Sequence, residues 1–123
     1  MSWEFDTTRP IYVQLVERIK LMIVTGELAS GSKLKSVRDM AEEAGVNPNT
    51  MQRALAELER EALVYSQRTS GRFVTEDKEL LAKMRDTFAE EKVKLFIESL
   101  MQLGYKQDEV MTLIQHYLGE MKS

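Results

Sequence analysis

The sequence contains no cysteine. That excludes disulfides, thiol catalysis and thiolate-ligated metals. Its one histidine, His116, leaves neither a histidine-based zinc site nor a Ser-His-Asp triad to assemble within one chain. No apolar run approaches the roughly 20 residues of a membrane-spanning helix, so no membrane partner is expected. The first residues, Met1-Ser-Trp-Glu-Phe-Asp, lack a basic stretch followed by an apolar one. Secretion is therefore not expected, and a cytoplasmic location is. Internal repeats and low-complexity segments are absent. No nucleophile–base pair or paired-carboxylate pocket can be assembled, so the chain reads as a binder rather than an enzyme. No catalytic residue, metal or cofactor is expected.

What is present is an ordinary globular composition over 123 residues, 43% hydrophobic and 30% charged. Such a length holds one domain, or one domain with a small appendage. Residues 1–75 balance ten Lys/Arg against ten Asp/Glu, whereas residues 76–123 carry seven against ten, which accounts for the net charge of −3. Net charge does not point to nucleic acid, but placement does. No acid lies between Lys33 and Arg38 or between Arg68 and Arg72, while acids of this half gather at 39–43 and 57–61. A basic face on a neutral domain is still an electrostatic footprint.

Apolar spacing at Tyr12, Leu15, Ile19, Met22 and Ile23 predicts a helix over 10–25, with Pro10 in its first turn and Gly26 at its end. The loop from Glu27 to Lys35 can hold only a short strand. Ser36 is an N-cap for a helix over Val37 to Ala44, with Asp39 as its acidic partner and Val37, Met40, Ala41 and Ala44 inside. Asn47 caps the next helix and Pro48 opens it. Its inner face is Met51, Ala54, Leu55 and Leu58, continuing to Ala62. After Leu63 the period changes. Leu63-Val64-Tyr65 and Arg72-Phe73-Val74 read as strands joined by Ser66 to Gly71. Asp77 caps a long helix over 78–102, and a last helix runs from about Asp108 to Met121.

Two short helices joined by a Gly-containing turn are a helix-turn-helix signature, and the following hairpin makes it a winged one. The fold class is mainly α with a small β-hairpin. The second helix of such a pair enters the major groove by its N-terminal end, here Asn47 to Arg53. Its outward residues Asn49, Thr50, Gln52 and Arg53 are chemically suited to base edges and phosphates. A winged-helix protein–protein module without DNA binding is the alternative; the acidic surplus favours it, and Arg38, Asn49 and Arg53 oppose it.

The long helix is apolar on several sides over Val93 to Met101, more than one neighbouring helix can cover. Exposed apolar area of this kind marks a subunit interface. Residues 76–123 are therefore expected to form a two-helix antiparallel dimerisation segment, with Phe96, Leu100, Met101, Ile114 and Leu118 at the interface. Trp3 and Phe5 are expected to pin the N-terminal arm to a core. His116 and Glu120, at i and i+4, read as a solvated helix face. Most methionines (Met22, Met40, Met51, Met84, Met121) are expected on inner faces, while Met101 and Met111 suit an adaptable interface.

The stretch Lys33-Leu34-Lys35-Ser36-Val37-Arg38-Asp39-Met40-Ala41 resembles the L-P-S-x-R-x-L-A segment of GntR-family repressors. Asn47-Pro48-Asn49-Thr50-Met51-Gln52-Arg53-Ala54 followed by Leu58-Glu59-Arg60-Glu61 is similar to the N-P-N-T-V-x-R-A…L-E-R-E recognition segment. Ser70-Gly71-Arg72-Phe73-Val74 resembles the wing motif G-x-G-T-F-V. The short C-terminal part looks like the YtrA subfamily, and the likeness runs from about Arg9 to Glu120. Lys35 stands where the pattern has Pro, Ala62 where it has Gly, and Thr69 and Arg72 replace the first Gly and the Thr of the wing. The resemblance implies a homodimeric repressor on an inverted-repeat double-stranded operator, with residues 1–75 binding DNA. By matching motif, Arg38 supported by Ser36, and Arg53 with Asn49, would contact DNA. Gly71 would let the wing backbone approach, flanked by Arg68 and Arg72, and Lys33 and Lys35 would contact phosphates. The sequence names no effector, operator or target gene. A deep cavity within one chain is not expected from two C-terminal helices.

Overall fold

A computed structural model of the chain describes residues 3–122. Met1, Ser2 and Ser123, at the ends of the expected ranges 1–75 and 76–123, lie outside the described residues. The chain forms two compact units, Met1–Met84 and Arg85–Ser123.

The first unit contains α1 (Ile11–Val24), α2 (Val37–Ala44), α3 (Pro48–Arg60), β1 (Val64–Gln67) and β2 (Gly71–Val74). It also holds the first turns of α4 (Lys78–Gln102). Its core is Leu15, Ile19 and Ile23 from α1, Met40, Ala41 and Ala44 from α2, Met51, Ala54, Leu55 and Leu58 from α3, and Leu63, Val64 and Val74 around the hairpin. Burying these side chains is the main force holding the unit together, at roughly 1.5–3 kcal/mol for each large aliphatic one.

The expected caps form. The Ser36 hydroxyl accepts the Asp39 N–H at 3.1 Å, and the Asn47 side chain accepts the Asn49 N–H at 2.8 Å. Pro10 corrects an expectation: it is the N-cap of α1, not a residue of its first turn, because its own carbonyl accepts the Gln14 N–H. Trp3 and Phe5 pack against the core as expected. The buried residue holding that arm is Gln14. Its Oε1 accepts the Asp6 N–H at 2.6 Å, and its Nε2 donates to the carbonyls of Asp6 and Arg9 at 2.6 and 3.0 Å.

Ala62 is a second correction, since it does not continue the inner face of α3 but lies exposed beyond the helix end. The Ala62 N–H donates to the Glu59 carbonyl at 3.0 Å and the Leu63 N–H to the Leu58 carbonyl at 2.9 Å. That pattern is a Schellman ending, with buried Leu58 and Leu63 as its apolar pair. It requires a left-handed residue between them, and Ala62 adopts φ 64°.

The strands pair antiparallel, with Ser66 opposite Arg72 and Gln67 opposite Gly71. The tip is therefore shorter than expected, Arg68-Thr69-Ser70 rather than Ser66 to Gly71. The loop before α2 lines the other edge of β2. Val74 N–H donates to the Ser32 carbonyl at 2.9 Å and Leu34 N–H to the Arg72 carbonyl at 2.9 Å. Asp77 Oδ1 caps α4 by accepting the N–H groups of Glu79 and Leu80, both at 3.1 Å. Leu80, Leu81 and Met84 then pack on the core, so the first unit extends past the 75/76 division read from the hairpin's end.

The second unit holds the remainder of α4 and α5 (Gln107–Met121). Val110 is its buried apolar side chain among the described residues. Met121 was expected inside and is 82% exposed. Among the described residues α4 and α5 do not pack along their length, so the apolar residues toward the end of α5 stay in solvent.

Candidate nucleic-acid interface

The N-cap and Pro48 fix where α3 begins, and that sets which side chains its first turns present. Asn49, Gln52 and Arg53 are exposed, and Thr50 is half-buried. The free N–H groups of this first turn add partial positive charge. Asn47, also expected among the DNA-binding residues, uses its Oδ1 as the cap and so places α3. Arg53 is not a free arm: its guanidinium carbon sits 4.5 Å from the Tyr12 ring centroid.

Arg38, on the exposed side of α2, has no ion-pair partner among the described residues. Ser36 caps that helix. Lys35 pairs with Glu43 across α2, and this carboxylate raises the Lys35 pKa. Lys33 lies beside the wing: its Cε is 3.1 Å from where a Cβ on Gly71 would stand. Gly71 itself has φ 105°, a backbone conformation that favours glycine there, while the Lys33 side chain could give way by a few tenths of an ångström. A groove of about 410 Å³ runs between the loop residues Lys33 to Val37 and the wing residues Thr69 to Arg72. It brings Lys33, Lys35, Ser36, Gly71 and Arg72 together. Arg68 is exposed at the hairpin tip.

Arg72 was expected to flank Gly71 in contact with DNA. Its Nε donates to Glu59 Oε1 at 2.8 Å, with 23% of its side chain exposed. The same carboxylate oxygen accepts the Ser66 hydroxyl. These partners, Ser66 first and then Arg72, hold the Glu59 carboxyl below its ordinary pKa. Two residues along, Glu61 accepts from Lys20 Nζ of α1 at 2.8 Å. The motif Leu58-Glu59-Arg60-Glu61 thus ties α3 to the wing and to α1, a role not assigned to it from the sequence. Its signal was present: acids at a helix C-terminus oppose the macrodipole, so a tertiary partner was called for.

The expected interface residues lie in the second unit, where Phe96, Met101 and Leu118 are 48%, 51% and 53% exposed. Leu100 and Ile114 are half-buried. His116 Nε2 and Glu120 Oε1 face each other at 3.4 Å on an exposed helix side. No helix among the described residues is long and apolar enough to cross a membrane.

Known proteins share this architecture. The profile of "Bacterial regulatory proteins, gntR family" matches residues 11–74. The HTH-type transcriptional regulator YhcF of Bacillus subtilis is 35% identical over 117 residues, covering 95% of this chain and 97% of that one. The HTH-type transcriptional repressor YtrA of the same organism is 30% identical, covering 94% and 90%. A solved GntR family transcriptional regulator from Listeria monocytogenes superimposes with a TM-score of 0.81 at 38% identity, over 91% of this chain and 98% of that one. With its capped recognition helix, paired wing and short two-helix C-terminal part, the chain belongs to the gntR family of bacterial regulatory proteins, as a YtrA-like, winged helix-turn-helix, DNA-binding transcriptional regulator and not an enzyme.

Proposed function

We propose that this regulator is a repressor that binds an inverted-repeat operator as a homodimer in the cytoplasm. The observation that carries the reading is the exposed start of α3, with Asn49, Gln52 and Arg53, on the same unit as the groove holding Lys33 and Gly71. Asn and Gln suit adenine, Arg suits guanine, and the lysines suit phosphate. Arg38 and Arg68 add cations that are exposed. The residues after the hairpin would dimerise through Phe96, Leu100, Met101, Ile114 and Leu118. A two-fold partner would cover their exposed apolar surface and place two recognition helices about 34 Å apart, or a multiple of that.

The test is selection of DNA from a randomised library, followed by affinity measurements at two salt concentrations. An enriched inverted repeat, bound far more tightly than its half-site, supports the proposal, because linked half-sites gain by effective concentration. Enrichment of a single asymmetric site, bound by a monomer, overturns it.

A further inference from the structure

The wing carries one cation that its surroundings do not leave for DNA. Arg72 Nε and Glu59 Oε1 are 2.8 Å apart, with side chains only 23% and 32% exposed. Glu59 Oε1 also takes the Ser66 hydroxyl, and Ser66 is the cross-strand partner of Arg72. One carboxylate on the recognition helix therefore grips both strands of the hairpin at the same level. Lys33 lies against Gly71 on the wing, and Arg68 is exposed at its tip. Moving Arg72 to a phosphate would take from Glu59, in a half-buried position, the N–H that it accepts, and a partly desolvated acceptor left unmet is costly.

We infer that Glu59 is a positioning residue which, through Arg72 and Ser66, locks the wing to the recognition helix, so that Arg72 is an internal strut and the wing's DNA-facing cations are Lys33 and Arg68. The inference rests on the DNA-binding reading above. It assigns a consequence to specificity. Base readout by α3 and backbone contact by the wing are held in one register, and loosening the lock lets the wing settle on phosphates wherever α3 lies. Specific binding should suffer more than non-specific binding.

The experiment uses the full chain, a selected operator and a scrambled duplex of equal length, each titrated over a range of salt. The proteins are wild type, Arg72→Ala, Glu59→Ala, the double variant, Arg72→Gln and Arg68→Ala. Arg72→Ala and Glu59→Ala should each cut the ratio of operator to scrambled affinity about ten-fold, with the double variant no worse than either single one. The salt slope of Arg72→Ala should stay at the wild-type value, whereas in Glu59→Ala the released Arg72 should keep it or steepen it. Arg68→Ala should instead lower the slope by about 0.9 for each phosphate that it no longer neutralises. Arg72→Gln keeps a donor for Glu59 and discards the charge, so it should restore the ratio and keep the slope. It also serves if the alanine variants fail to fold by circular dichroism. A slope that falls in Arg72→Gln as it does in Arg68→Ala would make Arg72 a phosphate contact and overturn the inference. So would additive losses in the double variant. A wild-type protein that binds neither duplex in a salt-dependent way would defeat the DNA-binding reading itself, a result distinct from either.

Discussion

The Arg53 guanidinium lies over the Tyr12 ring, 4.5 Å from its centroid. A residue of the first helix thus holds a base-reading candidate of the third. The ring's negative face attracts the cation and limits the planes the guanidinium can adopt. Tyr12→Leu should weaken operator binding by about 0.5–1 kcal/mol per subunit, and Tyr12→Phe, which keeps the ring, should not. Fluorescence anisotropy with the selected operator measures both. Equal losses in the two variants would mean that the hydroxyl, not the ring, matters.

Direct contacts should cost more. Arg53→Ala and Arg38→Ala are expected to lose about 1–3 kcal/mol per subunit on the operator while folding normally. Circular dichroism monitors the fold. Wild-type affinity in both variants would place the recognition surface elsewhere.

Ala62 sits at φ 64°, where an L-residue's Cβ crowds the following carbonyl at about 1–2 kcal/mol. Glycine escapes that crowding but loses more chain entropy on folding, about 0.5–1 kcal/mol. Ala62→Gly should therefore stabilise the chain by up to about 1 kcal/mol. The urea midpoint should rise with an unchanged slope. A lower midpoint would show that the Schellman ending tolerates alanine without strain.

The Glu59 carboxyl has a folded pKa below its ordinary value, because Ser66 and Arg72 stabilise its charged form. The sign follows from linkage. Stability from this group is fully present above the unfolded-state pKa and is lost as pH falls through the lower folded value. Glu59→Gln should be less stable than wild type at neutral pH, and the gap should close on acidification below the ordinary carboxylate range. Urea unfolding at a series of pH values reads this out; a gap independent of pH would assign the loss to packing.

Leu118 is 53% exposed, as part of the apolar surface of the second unit. If a second copy covers it, Leu118→Glu should shift a dimer toward monomer at micromolar concentration. Binding to the inverted repeat should fall toward the half-site level. Sedimentation velocity on the full chain decides the point. A wild-type monomer, or a variant that dimerises unchanged, would remove this interface from the proposal.

Features governed by neighbours a few residues away were readable in advance. Ser36, Asn47 and Asp77 cap the helices they precede, since a cap needs only its own side chain and the next turn's N–H groups. The order of helices and hairpin followed from apolar spacing, and the exposure of Asn49, Gln52 and Arg53 from the pattern of the first turns of α3. Ala62 was visible as a departure from the family pattern. Its left-handed backbone became visible only with the Leu58–Leu63 ending around it.

Pairings between elements were not readable. Gln14 reaches Asp6 across 8 positions, Arg72 reaches Glu59 across 13, and Lys20 reaches Glu61 across 41. Periodicity reports which face of an element is apolar, but a charge on the polar face looks alike whether solvent or another element meets it. The chain's own pattern therefore established a winged helix-turn-helix with suitable cations on it. Packing of α1, α3 and the hairpin around one core then settled which of those cations stay exposed, as Arg38 and Arg68 do, and which are held inside, as Arg72 is by Glu59. An ion pair forms where folding brings two groups within reach, and that distance is a property of the tertiary fold.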